Sequence, residues 1–295
     1  MIVSVSRRTD IPAFFSGWFE SRLSEGFAIA RNPFNPTQRR LVELKPSAVE
    51  AVVFWTKNAR PMLDLYEKGL REFCHYYLYT INGYGSGIET KVPQTDYSLE
   101  TIRLLHNKGL ARDEIVWRYD PVFFTESLTP KWHRENFRCL AQGLEGLTET
   151  CVLSFIDSYA SILGRTSDLQ DQLQMYNMDL LLEWMDSLAG IARRYGILVQ
   201  TCSELVDFAQ IDIHSGACID GERIAVIRKR RKLAETESAC AAAKDKNQRM
   251  ECRCLSSVDI GAYGTCGHGC LYCYARGKKT AFSQNVLSPV LGEHA

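Results

Sequence analysis

Short β-branched or aromatic runs alternating with amphipathic stretches predict an α/β fold, a (β/α) barrel that is TIM-like or partial. Two further observations narrow this choice. No G-x-G-x-x-G follows the first run, which disfavours an open dinucleotide-binding sheet. Several runs end in polar or charged residues, and a parallel barrel gathers such strand ends onto one face.

The runs read as strands are Ile2-Val-Ser-Val-Ser6, Ala51-Val-Val-Phe-Trp55, His75-Tyr-Tyr-Leu-Tyr-Thr80, Glu114-Ile-Val-Trp-Arg118, Cys151-Val-Leu-Ser-Phe155 and Ile197-Leu-Val-Gln-Thr201. After the first, Phe14, Phe15, Trp18, Phe19 and Leu23 recur at helical spacing and stop at Gly26. Thr129-Pro130 supplies an N-cap with proline at the first helical position. A longer helix carries Leu181, Trp184, Met185, Leu188, Ile191 and Ala192 on one side and ends at Tyr195-Gly196. Asn82-Gly-Tyr-Gly-Ser-Gly87 follows a strand without a helix directly behind it and reads as a flexible loop at the barrel mouth. Residues 1–201 thus hold the regular units. Residues 202–258 break the alternation, with Cys202, Cys218, a charged helical stretch, an alanine-rich segment around Cys240 and the polar Lys244–Arg249, and read as a segment appended to the barrel.

The strand ends supply candidate site residues: Arg7-Arg8-Thr9-Asp10, Thr56-Lys57-Asn58, Asn82, Arg118-Tyr119-Asp120, Asp157 and Ser203-Glu204. Arg7, Arg8, Asp10, Arg118 and Asp120 are the catalytic candidates, because guanidinium groups clamp a carboxylate or phosphate at two points. An ion pair at the edge of the core is the competing role for Arg118 and Asp120.

Charge and hydropathy exclude several classes. The chain has 35 Lys plus Arg against 35 Asp plus Glu, so no global field draws it to nucleic acid, and Arg228-Lys-Arg-Arg-Lys232 reads as a solvated helix face. No run reaches the roughly 18 apolar residues of a membrane span, and the opening residues make a poor signal peptide, so a cytoplasmic protein without membrane contact is expected. Neither H-E-x-x-H nor G-x-S-x-G is present. Cysteine stands apart, with 11 in the chain and five between Cys252 and Cys273, which in a reducing compartment suggests metal. Cys74, Cys139 and Cys151 are scattered and read as small buried apolar residues.

The most specific pattern is C-x-x-x-C-x-x-C in Asp259-Ile-Gly-Ala-Tyr-Gly-Thr-Cys266-Gly-His-Gly-Cys270-Leu-Tyr-Cys273-Tyr-Ala-Arg276. Three thiolates on one glycine-bearing loop can wrap three irons of a 4Fe-4S cluster and leave the fourth iron open to a ligand. His268, inside the loop, is expected to orient it or to hydrogen-bond a sulfide.

This string resembles the radical S-adenosylmethionine (SAM) superfamily, and is particularly similar to its spore photoproduct lyase and DNA-repair-photolyase-like branch. The resemblance implies that Cys266, Cys270 and Cys273 ligate the cluster, that its open iron takes the amino and carboxylate groups of SAM, and that Tyr272 packs near the adenine. It also implies an electron donor such as flavodoxin or ferredoxin, and a radical that takes hydrogen from a substrate left unidentified, with nucleic acid not favoured. In that superfamily the loop follows the first strand, whereas here it lies near the end, so a circularly permuted barrel is expected. Residues 259–295 then supply the cluster-binding strand and loop that complete the barrel, with Val258–Tyr263 as the family's first strand and Ile2–Ser6 as its second. Ser6 to Asp10 would occupy the neighbourhood that binds the SAM amino group, although the superfamily's Gly-Gly-Glu is absent; Thr9 and Asn82 are the candidate cofactor contacts. The chain also resembles the bacterial family domain of unknown function 1848, through Ser4-Val-Ser-Arg-Arg-Thr-Asp-Ile-Pro12 and its cysteine-rich end.

Cys202, Cys218 and the pair Cys252-Arg-Cys254 could complete a four-cysteine site for a second iron-sulfur cluster or for structural zinc, or be ordinary thiols; Cys240 is a weaker substitute. Two rivals to the radical reading stay open. One is a zinc-stabilised binding module with no SAM chemistry, the other an iron-sulfur electron-transfer protein.

Overall fold

In chain order the main elements are β1 (Ile2–Val5), α1 (Ile11–Phe14), α2 (Ser16–Glu25), β2 (Phe27–Arg31), β3 (Arg39–Glu43), β4 (Ala51–Thr56), β5 (His75–Thr80), α3 (Thr95–Asn107), β6 (Ile115–Val122), α4 (Pro130–Gly143) and β7 (Thr150–Phe155). They continue with α5 (Met178–Arg194), β8 (Leu198–Thr201), β9 (His214–Ser215), α6 (Gly221–Arg231) and β10 (Val258–Asp259). The structure is a computed structural model and describes residues 1–35, 37–156, 177–234, 243–276 and 285–292. Asp157 and Cys240 lie outside the described residues.

Each of the six predicted runs forms a strand, and all six join one parallel sheet of eight in the order β10-β1-β4-β5-β6-β7-β8-β9. Each strand of this series from β4 onward lies beside its predecessor, so the crossovers all turn the same way and their helices fall on one face. On that face Val3, Phe54, Tyr77, Trp117 and Leu153 pack against Phe19 of α2, Ile102 of α3, Phe137 of α4 and Leu188 of α5. Alternate residues point the other way. Ile2, Val53, Tyr76, Leu78, Val116 and Val152 cover the inner face and pack on Ile219, Ile224 and Ile227. No pair between β9 and β10 occurs among the described residues.

The segment read as appended therefore contributes β9 to the sheet and lays α6 across its inner face. Its basic run is not simply a solvated helix face. Arg228 donates to the Glu50 carbonyl at 2.9 Å, Arg230 pairs with Asp113 at 2.7 Å, and Arg231 pairs with the buried Glu114. These bonds fasten the helix to the start of the strands.

One element went unread and two expectations need correcting. The strands β2 and β3 pair antiparallel, and in them Ala28 and Val42 face the core while Arg39, Arg40, Leu41 and Glu43 stay exposed. The mostly polar composition of β3 hid this pair from pattern reading. Second, β6 continues to Val122, so Arg118 and Asp120 lie within the strand, Arg118 just before and Asp120 inside the register shift between Tyr119 and Val122. Third, Cys139 is exposed: the buried stripe of α4 is His133, Phe137, Leu140 and Ala141, and Cys139 falls off it. Cys74 and Cys151 are buried. Among the described residues no helix is long and apolar enough to cross a membrane.

Candidate active site

The ends of the strands and the cysteine loop enclose a cavity of about 460 Å³. Placement begins at Asp259 on β10, which pairs in parallel with β1. Its carboxylate accepts hydrogen bonds from the Ser4 hydroxyl at 2.9 Å, the Ser6 hydroxyl at 2.6 Å, the Arg7 amide at 2.8 Å and the Gly261 amide at 2.9 Å. A side chain at Gly261 would collide with Ser6, so the loop leaves the sheet there on glycine.

Asp10 anchors the loop from the other side. It caps α1 through the Ala13 amide at 2.9 Å, and accepts from Thr56 Oγ1 at 2.8 Å, the Lys57 amide at 2.7 Å and His268 Nε2 at 2.7 Å. A carboxylate engaged by four donors holds the loop in place. His268 orients the loop accordingly, and its backbone carbonyl accepts from the Lys91 amide at 2.9 Å. Gly267 is required by contact, since a Cβ there would lie 2.7 Å from the Phe14 ring.

Cys266, Cys270 and Cys273 all line the cavity. Burial pushes their thiols up, Cys266 to about 12 and Cys270 to about 11. A soft metal is the partner that such a buried set of thiols fits. Lys57 stands near, drawing Cys270 and Cys273 toward the thiolate. Its amine pairs with Glu89 at 2.7 Å, and Glu89 also accepts from Asn82 at 3.1 Å and from the Tyr272 hydroxyl. Burial disfavours both charges, but mutual attraction outweighs it, so the Lys57 value is raised and that of Glu89 lowered. Tyr272 is thereby fixed beside Tyr84 and Phe123.

Elsewhere in the wall, the Arg7 and Arg118 guanidiniums lie 5.2 and 4.9 Å from the Trp55 ring centroid. Arg118 pairs with Asp120, which accepts from Ser154 at 2.5 Å. Among the described residues, five buried polar atoms on cavity residues have no hydrogen-bond partner: Arg7 Nη2, Thr9 Oγ1, Trp55 Nε1, Arg118 Nε and Ser203 Oγ. All can donate. Arg8 lines the cavity too, donating to the Arg31 carbonyl at 3.3 Å.

The remaining candidate thiols share this wall. Cys202 Sγ and Cys218 Sγ are 3.3 Å apart, Cys254 Sγ accepts from the Ile219 amide at 3.4 Å, and Cys252 and Cys254 are buried beside them. Hydrogen bonds from Cys218 and then Cys252 push Cys254 well down, while Cys218 and Cys252 are pushed up. No group of three or more His, Cys, Asp or Glu forms a ready-made metal shell among the described residues.

The fold thus brings Arg7, Arg8, Thr9, Asp10, Arg118, Asp120, Tyr272 and the seven candidate thiols to one cavity, with Asn82 joined to it through Tyr272 at 3.1 Å. Sequence reasoning missed Glu89 and Asp259, whose partners come from other segments, and Trp55, which it read only as a strand residue. A family model described as Domain of unknown function (DUF1848) matches residues 2–275. The chain belongs to that family. In this DUF1848 chain the match spans both the opening Ser4–Pro12 and the cysteine loop, the two segments that Asp10 and Asp259 tie together. A comparison with curated proteins finds no match.

Proposed function

We propose that this protein is a radical SAM iron-sulfur enzyme acting on a small substrate held in the cavity. The observation that carries the reading is the convergence of Cys266, Cys270 and Cys273 on a cavity at the ends of parallel strands, beside a buried Lys57–Glu89 pair. Counted from its β10 edge, the sheet has the cysteine loop after its first strand and β1 second, as a permuted and partial (β/α) barrel requires.

In this reading Cys266, Cys270 and Cys273 would hold three irons of a 4Fe-4S cluster, which, reduced by a flavodoxin or ferredoxin, would supply one-electron chemistry for the reductive cleavage of SAM. The chain's own residues do the rest. Asp10 and His268 hold the loop, and Lys57, Glu89 and Asn82 set Tyr272 and offer one positive and one negative group at the cluster end. The unpartnered donors of Arg7, Thr9, Trp55, Arg118 and Ser203 suit a substrate rich in hydrogen-bond acceptors. A polymer such as nucleic acid is not favoured by a chain whose formal net charge is zero.

The test is anaerobic. The protein is reconstituted with iron and sulfide, reduced with dithionite and supplied with SAM, and 5'-deoxyadenosine is measured. The expected result is cluster iron with matching acid-labile sulfide, and SAM cleavage that disappears in Cys270→Ala. A reconstituted protein with zinc alone and no cleavage overturns the reading in favour of a zinc-stabilised binding module; cluster iron without cleavage makes it an electron-transfer protein.

A further inference from the structure

The thiols of Cys202, Cys218, Cys252 and Cys254 come from three separate stretches of chain: the end of β8, the turn after β9 and the loop before β10. Nothing local obliges them to meet. In the fold they nevertheless line one cavity wall: Cys202 Sγ and Cys218 Sγ are 3.3 Å apart, and Cys254 Sγ accepts from the amide of Ile219, the residue after Cys218, at 3.4 Å. Cys218, Cys252 and Cys254 are buried in the inner apolar cluster and Cys202 packs against it.

We propose that these four cysteines form a closed, mononuclear, tetrahedral site for a soft divalent metal, zinc or iron, distinct from the Cys266 loop. The Cys202–Cys218 contact favours one metal over a cluster. Metal-sulfur bonds of about 2.3 Å in a tetrahedron put sulfurs about 3.8 Å apart, close to the observed contact. A cuboidal cluster places each thiolate on its own iron, so no two of its ligands touch. Binding displaces the remaining thiol protons, so each cysteine enters the site as a thiolate.

Charge supports the same assignment. Four thiolates and a divalent ion carry a net charge of −2, which a buried site must offset. Arg7 lies near Cys254 and Cys218, and Arg118 near Cys218 and Cys202. With four protein ligands the site has no open position, so its role is to staple β8, β9 and the loop before β10 against the inner face.

This inference does not rest on the radical reading, and the experiment keeps the two apart. The full-length Cys266→Ala/Cys270→Ala/Cys273→Ala variant is purified and its zinc, iron and sulfide counted. About one zinc or iron per chain without sulfide is expected. Cobalt(II) loading of the same variant should give tetrahedral d–d bands with strong thiolate-to-cobalt absorption, a readout that needs no change to the four cysteines. Adding Cys218→Ser and Cys254→Ser should remove both metal and spectrum. A metal-free variant with an octahedral cobalt spectrum overturns the proposal, as does iron with stoichiometric sulfide, which assigns a cluster.

Discussion

At the scale of residues, the buried Lys57–Glu89 pair sets the terms of the site. Lys57→Met strands the buried Glu89 carboxylate without its partner, and is expected to destabilise the fold by about 3 kcal/mol in urea unfolding. The double variant with Glu89→Gln removes both charges and should recover most of that loss. The pH dependence follows from the directions of the shifts. Glu89 titrates below its ordinary 4.5, so its contribution is present above that value and fades as pH falls through the lowered one. Lys57 titrates above its ordinary 10.5, so its contribution holds below that value and fades as pH rises through the raised one. The stability gap between wild type and Lys57→Met should therefore be widest at neutral pH and narrow in acid; a gap that stays constant down to about pH 3 refutes the ionised pair. Lys57 was visible in the sequence as a polar strand end, whereas Glu89 was not, because its role depends on a contact 32 residues away.

At the scale of elements, α6 shows how a helix can look like a solvated basic segment and still be part of the core. Only Ile224 and Ile227 are buried, but they pack on the inner face of β1, β4 and β5. Ile227→Ala should cost about 2–5 kcal/mol. Val226, one residue away and 55% exposed, should tolerate alanine within about 0.5 kcal/mol. Equal effects at both positions, read from denaturation midpoints, would show that α6 does not dock as described. The sheet itself was largely legible, since β-branched and aromatic runs with helical stretches between them encode their own periods. The β2–β3 pair and the short strands β9 and β10 were harder to read. Two paired residues leave almost no pattern, and a polar, exposed strand lacks the alternation that marks one.

At the scale of the whole molecule, balanced charge is the governing property. With 35 basic and 35 acidic side chains, repulsion between copies is weakest near neutrality. Solubility at low ionic strength should pass through a minimum near pH 7 and rise on either side, measured by light scattering across pH. A steady rise or fall through neutrality would instead reveal groups whose charge in the folded chain departs from the formal count. The same scale explains why the first and last segments form one site: β10 lies beside β1, so Asp259 reaches Ser6 across 253 residues.

The sequence by itself determined the parallel α/β character, the three-cysteine loop and its neighbouring Tyr272, and the Arg7–Asp10 strand end, because period and spacing are local properties written within a few residues. Only the tertiary structure decided that Glu89 meets Lys57 and Tyr272, that Asp259 and Asp10 moor the loop, and that four dispersed cysteines share one wall. Such meetings depend on strand order and register. These are settled by how the whole chain buries its two sheet faces, and no short stretch carries that information.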